Sequence, residues 1–154
     1  MTEDYVSFET AKLLKEKGFD GKCYKVWAHY TSSTPMLWAA PTFVEGETIV
    51  DRESVESAER TWNTIYGNSE NKNYGYLAPT LQMAMKWLRD VHHYYIQVML
   101  DSWACGGHTG YYVVIQKTDS DFEMMLQDAV DDVFYKTYEQ ACEAAIKYCL
   151  ENLI

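Results

Sequence analysis

The chain has 154 residues, a net charge of −10, and apolar and charged fractions of 47% and 23%. That length suits one domain, residues 1–154, able to bury roughly two thirds of the surface its unfolded chain exposes, and the composition excludes a disordered or membrane-embedded class. The acidity argues against direct binding to nucleic-acid phosphates or to an anionic membrane, and favours solubility and basic partners.

The first predicted element is a helix over Phe8–Lys17. Ser7 can cap it, Val6 can staple to Ala11, and Gly18 followed by Phe19 supplies a stop with an apolar residue to fold back. "CYKVWAHY" (Cys23–Tyr30) then alternates, with Tyr24, Val26, Ala28 and Tyr30 on one face and Lys25, Trp27 and His29 on the other, and reads as a strand. "TSSTP" is a turn, and "MLWAAPTFV" a second strand that Pro41 consigns to an edge or a bulge. From Asp51 the spacing turns helical through Val55, Ala58, Trp62 and Ile65/Tyr66, with Gly67 as the stop. A flexible loop is expected around residues 67–76, because "NSENKNYG" is polar and turn-forming.

"APTLQMAMKWLRDVH" places Leu81, Ala84/Met85, Leu88 and Val91 on one helical face, flanked by Met83 and Trp87. After it comes the pattern that organises the fold. "DSWACGGHTGYY" (Asp101–Tyr112) carries Gly106-Gly107, the residue type that a two-residue hairpin turn with positive φ demands. A hairpin of Tyr94–Ala104 and His108–Gln116 about that pair sets Cys105 opposite His108, Leu100 opposite Val113 and Val98 opposite Ile115. One face is then apolar, while Met99/Val114, Asp101/Tyr112 and Trp103/Gly110 share the other with the Cys105/His108 pair. Two capping boxes follow. "SDFE" (Ser120–Glu123) predicts a helix carrying Phe122, Met125/Leu126, Ala129 and Val133 on one face, and "TYEQ" (Thr137–Gln140) opens a terminal helix that turns Ala141, Cys142 and Ala145 toward the sheet.

The predicted fold class is α+β, a small antiparallel sheet built from the central hairpin plus the N-terminal strands and covered by several helices. The strand at Tyr24 is expected to extend the hairpin's sheet, since a lone hairpin is barely stable in water.

Chemistry is sparse. Cys105 and His108 would stand ~5 Å apart as directly opposed strand residues, near enough for a thiol–imidazole dyad. Asp101 lies ~13 Å back along the strand and cannot orient that histidine. A thiol-dependent enzyme using Cys105/His108 stays open as an alternative to a plain turn. His92-His93 are adjacent and point apart, and no CxxC pair or spaced His/His pair occurs, so no metal site is expected. No phosphate-binding glycine loop is present, no cofactor is expected, and no catalytic set stands out. Cys142 and Cys149 are separated by ~10 Å of helical rise, too far to bridge, and four unpaired thiols fit a cytoplasmic protein. The N-terminus lacks a basic segment followed by an apolar run, and nothing approaches the ~18 apolar residues of a membrane span.

Thirteen Tyr and five Trp are more than a core of this size requires. These side chains serve well at half-wet interfaces, so Trp27, Trp87, Trp103 and Tyr112 are the candidate binding residues of a protein-binding surface. An alternative is an acidic decoy that occupies a DNA-binding site, with the carboxylates of a helix from Asp121 to Asp132 standing in for phosphates.

The segments "APTLQMAMKWLRDVHHYYIQV" and "TYEQACEAAIKYCLENLI" resemble a group of small uncharacterised proteins carried by phages, prophages and mobile elements of gut bacteria. That group pairs a "KWLRxVH" segment, here Lys86–His92, with a terminal "YEEAxEAA" helix. Tyr138, Glu139, Ala141, Glu143, Ala144 and Ala145 match it, and Gln140 departs from the usual Glu. The resemblance covers roughly the C-terminal half, with residues 120–133 as an insertion. It implies a helix–hairpin–helix core and a phage or mobile-element setting, and it brings no activity and no catalytic residues; the partner expected for the aromatic surface is a host or phage protein.

Overall fold

The structure, a computed structural model, describes residues 4–30, 46–53, 75–101, 110–126 and 134–154. The elements are α1 (Phe8–Glu16), β1 (Lys25–Tyr30), β2 (Gly46–Asp51), β3 (Gly75–Leu77), α2 (Leu81–His92), β4 (Tyr94–Asp101), β5 (Gly110–Lys117), β6 (Glu123–Leu126) and α3 (Tyr138–Tyr148), the last running into a π-helical turn at Cys149–Leu153. The class is α+β.

The helix ends follow their capping residues. Ser7, Thr80 and Thr137 each accept a hydrogen bond from the backbone N–H three residues on, at Thr10, Met83 and Gln140. At the far end of α1 Gly18 adopts φ 84°, and Phe19 N–H reaches Leu14 O while Gly18 N–H reaches Lys15 O. That pair of bonds satisfies carbonyls the helix would otherwise strand, and it folds the Phe19 ring into the core.

α3 is the hub. Ala141, Cys142, Ala145 and Ile146, followed by Cys149 and Leu150, are fully buried, and the small side chains allow α3 to lie close to β4 and β5 while α1 and α2 pack alongside it. The core meets the sheet at Ile96, Val113 and Ile115. α1 is tied to α3 by polar groups as well. Glu143 Oε1 accepts from Ser7 N–H at 3.1 Å and from the buried Thr10 hydroxyl at 2.5 Å, so a carboxylate from one helix caps the N-terminus of another.

Several expectations are corrected. The N-terminal strands do not extend the hairpin. They form their own three-stranded antiparallel sheet in the order β2-β1-β3, and the hairpin forms another in the order β4-β5-β6. The first sheet rests on α1, where Phe8 meets Trp27 and Tyr76 edge-on with ring centroids 6.1 and 5.4 Å apart. Tyr24 precedes β1 and is 89% exposed, so it does not share the buried face of Val26. β3 begins at Gly75, which shortens the expected loop at its C-terminal end.

The hairpin register differs by two residues. Val98 faces Val113 and Leu100 faces Tyr111, and the last pair is Asp101 with Gly110, leaving residues 102–109 as the connection. A slip of two preserves which side chains share a face, so the apolar pattern does not distinguish the two registers. The one adopted pairs Ile96 with Ile115 and Val98 with Val113 beneath α3, and sets Lys117 over the Tyr94 ring. Leu100 is left 57% exposed rather than covered.

The helix expected from Ser120 is replaced, over its described part, by β6. Lys117, Thr118, Asp119 and Ser120 lead into a turn closed by Lys117 N–H on Phe122 O, and Glu123–Leu126 then pair with Val113–Gln116. Met124 and Leu126 pack against the core while Glu123 and Met125 point out. Strand alternation, with a ladder partner available on β5, overrides the capping signal here.

The chain returns to β5 at Tyr135, which exchanges two backbone hydrogen bonds with Tyr111. Phe134 then lies over Gly110, where a Cβ would stand 2.3 Å from the Phe134 Cβ; that close approach explains the glycine. The predicted strand 36–44, the body of the helix after Asp51, the loop over 67–74, Ala129, Val133, Trp103, and the turn with Cys105, Gly106, Gly107 and His108 lie outside the described residues.

Candidate functional site

Because strand side chains alternate, the residues of β4, β5 and β6 that do not meet α3 form one outward face. It has three rows. Tyr95, Gln116 and Glu123 form the first, Gln97, Val114 and Met125 the second, and Met99 and Tyr112 the third. The two glutamines and the glutamate are linked, Gln97 Nε2 donating to Gln116 Oε1 at 3.0 Å and Gln116 Nε2 to Glu123 Oε2 at 2.7 Å. This chain of bonds holds the polar end of the face in one arrangement. The other end is apolar: Met99 is 42% exposed, Met125 is 58% exposed, and Val114 and Tyr112 are half-buried between them. Phe134 stands edge-on to Tyr112, with centroids 6.0 Å apart, and borders the apolar end. The charged residues at the outward positions of these strands, Asp101 and Glu123, are both acidic.

The four predicted binding residues are not brought together. Tyr112 lies on the open face. Trp27 belongs to the other sheet, half-buried against Phe8, with its indole N–H donated to Val6 O at 2.8 Å. Trp87 is only 8% exposed, packed edge-on against Phe19 and His92 at centroid distances of 5.5 and 4.5 Å. It follows Ala84 by three residues and precedes Leu88, so it falls on the core stripe of α2 and Val91, expected there, is exposed instead. Trp103 lies outside the described residues.

The sequence reading missed Tyr95, Met125 and the Gln97–Gln116–Glu123 chain. Strand parity did set Met99, Val114 and Tyr112 apart from the apolar face. The capping box at Ser120 assigns Met125 to a helix, and Tyr95 opens a strand whose alternation alone does not distinguish it.

The described cysteines, Cys23, Cys142 and Cys149, are free and buried. Burial pushes the Cys142 thiol up to about 11 and the Cys149 thiol up to about 12; at Cys23 burial also raises the thiol, offset in part by Arg52. These groups stay protonated and behave as small apolar side chains. Among the described residues no group of three His, Cys, Asp or Glu could hold a metal ion, and no helix is long and apolar enough to cross a membrane. The acidic helix expected from Asp121 to Asp132 is absent where the chain is described, since Glu123 to Leu126 is strand. No protein-family model, curated protein or solved structure matches the chain.

Proposed function

We propose that the chain is a protein-binding module and that the open face of β4-β5-β6 seats an apolar surface, rimmed by basic residues, on a host or phage protein. The observation that carries this reading is the exposure of Met99 and Met125 on either side of Val114 and Tyr112. Methionine adapts its shape to a partner, and an apolar centre with polar margins is the usual anatomy of a docking surface. The acidic outward positions and the net charge of −10 select a basic rim. On this reading the protein acts in the cytoplasm of a bacterium that carries the phage or mobile element, without catalysis, cofactor or direct contact with nucleic acid.

The test is capture from such a bacterium's lysate with the chain immobilised, followed by cross-linking to locate the contact. Met125→Lys and Met99→Lys each reverse the local chemistry without touching the core, and each is expected to abolish retention of a partner that Tyr24→Ser, a control far from the face, still retains. Retention that survives both lysine variants, or cross-links that map to α1 or the first sheet, would overturn the proposal.

A further inference from the structure

Among the described residues β4 is the long edge strand of its sheet. The sheet order puts it at one side of β4-β5-β6, with β5 on one edge and no strand on the other among the described residues. The opposite side is treated differently: β6 has four residues, begins at Glu123, and yields its place beside Tyr111 to Tyr135. β4 has eight residues, and from Tyr94 to Leu100 it contains no charge, proline or glycine. Monomeric proteins blunt such edges with lysine, proline, a bulge or brevity, and β4 has none of these. Its cover also thins along its length. On the helix-backed face Ile96 is buried, Val98 is half-buried and Leu100 is 57% exposed, while Tyr95 and Met99 are exposed on the open face.

We propose that β4 pairs with β4 of a second copy of this chain, antiparallel about Gln97, to make one six-stranded sheet. The strand is self-complementary in that register. Ile96 faces Val98 of the second copy and Tyr94 faces its Leu100 on the helix-backed side. On the open side Tyr95 faces Met99 of the second copy, and the two Gln97 side chains meet at the two-fold axis. Centring on a residue places that axis perpendicular to the sheet, so both sets of helices stay on one side and both open faces join on the other. Charge enters only beyond the last pair, where Asp101 comes level with His93 of the second copy, a carboxylate against an imidazole. The exposed Leu100 then comes level with Tyr94 of the second copy, whose ring is 8% exposed and already packed against Phe122 and under Lys117.

This pairing can be tested apart from the docking reading, because it takes Met99 into the seam but leaves Met125, two strands away, on the open face. Sedimentation equilibrium over a concentration series tests it. The unaltered chain should move from one copy to two, and Met125→Lys, two strands from the seam, should associate equally well. Gln97→Lys and Gln97→Glu each place like charges face to face at the axis and should weaken association roughly three- to tenfold. An equimolar mixture of the two should pair more tightly than either alone. Circular dichroism melts establish that both variants fold, and hydrogen exchange of the unaltered chain gives a second readout, with β4 amides gaining protection as concentration rises. A chain that stays single at every concentration, association indifferent to both Gln97 variants, or a mixture no tighter than its components would overturn the pairing.

Discussion

The two faces of β4-β5-β6 are made by the same strands and end in opposite environments. Val113 and Ile115 are wholly buried under α3, whereas Val114, between them in sequence, looks outward between Met99 and Met125. Alternation gives one face of Ile96, Val98, Val113 and Ile115, and another on which Met99, Val114 and Met125 sit beside Gln97, Gln116 and Glu123. The difference comes from α3, whose Ala141 and Ala145 let it lie against one side only. An apolar strand face is therefore a core where a helix can approach it and a candidate docking surface where none does.

The largest test of that contrast substitutes the same residue on each side. Ile115→Asp buries a carboxylate with no partner and should abolish cooperative unfolding, while Val114→Asp should cost under about 1 kcal/mol, as read from urea unfolding of each variant. Similar losses at both positions would mean that the outward face is covered too. A smaller effect is expected from loosening the helical cover. Glu143→Ala removes the acceptor of both Ser7 N–H and the buried Thr10 hydroxyl, and should cost about 1–3 kcal/mol in the same measurement, with Ser7→Ala nearer ~1 kcal/mol.

The smallest effect is set by pH at the end of α2. Burial lowers the His92 pKa below its ordinary value of 6.5, with further lowering from His93 and Lys17. Above that value both folded and unfolded states are neutral at this group. As pH falls through it the unfolded chain takes up the proton first, so His92's contribution is lost progressively until the folded-state pKa is also passed. The melting temperature should fall as pH drops from above to below the ordinary histidine value of 6.5, and His92→Gln should flatten part of that slope. An unchanged slope would place the acid sensitivity elsewhere.

Local hydrogen bonds explain what the amino-acid order determined unaided. Ser7, Thr80 and Thr137 cap their helices, and Gly18 stops α1, because each bond is made within a few residues and needs no distant partner. Parity within the hairpin was legible for the same reason, and it separated Met99, Val114 and Tyr112 from Val113 and Ile115. Three things waited for the tertiary structure. The register could slip by two without disturbing parity, and only the fit of Ile96, Val98, Val113 and Ile115 beneath α3 selects one alternative. The segment from Ser120 carried a helix-start signal and became a strand because β5 offered it a ladder. The N-terminal strands joined one another and not the hairpin because Phe8, Trp27 and Tyr76 gave them a separate apolar seat on α1. Caps and alternation are properties of neighbours in sequence; register, sheet membership and the choice of the covered face depend on which surfaces meet, and a linear pattern compatible with two such meetings is resolved only by packing.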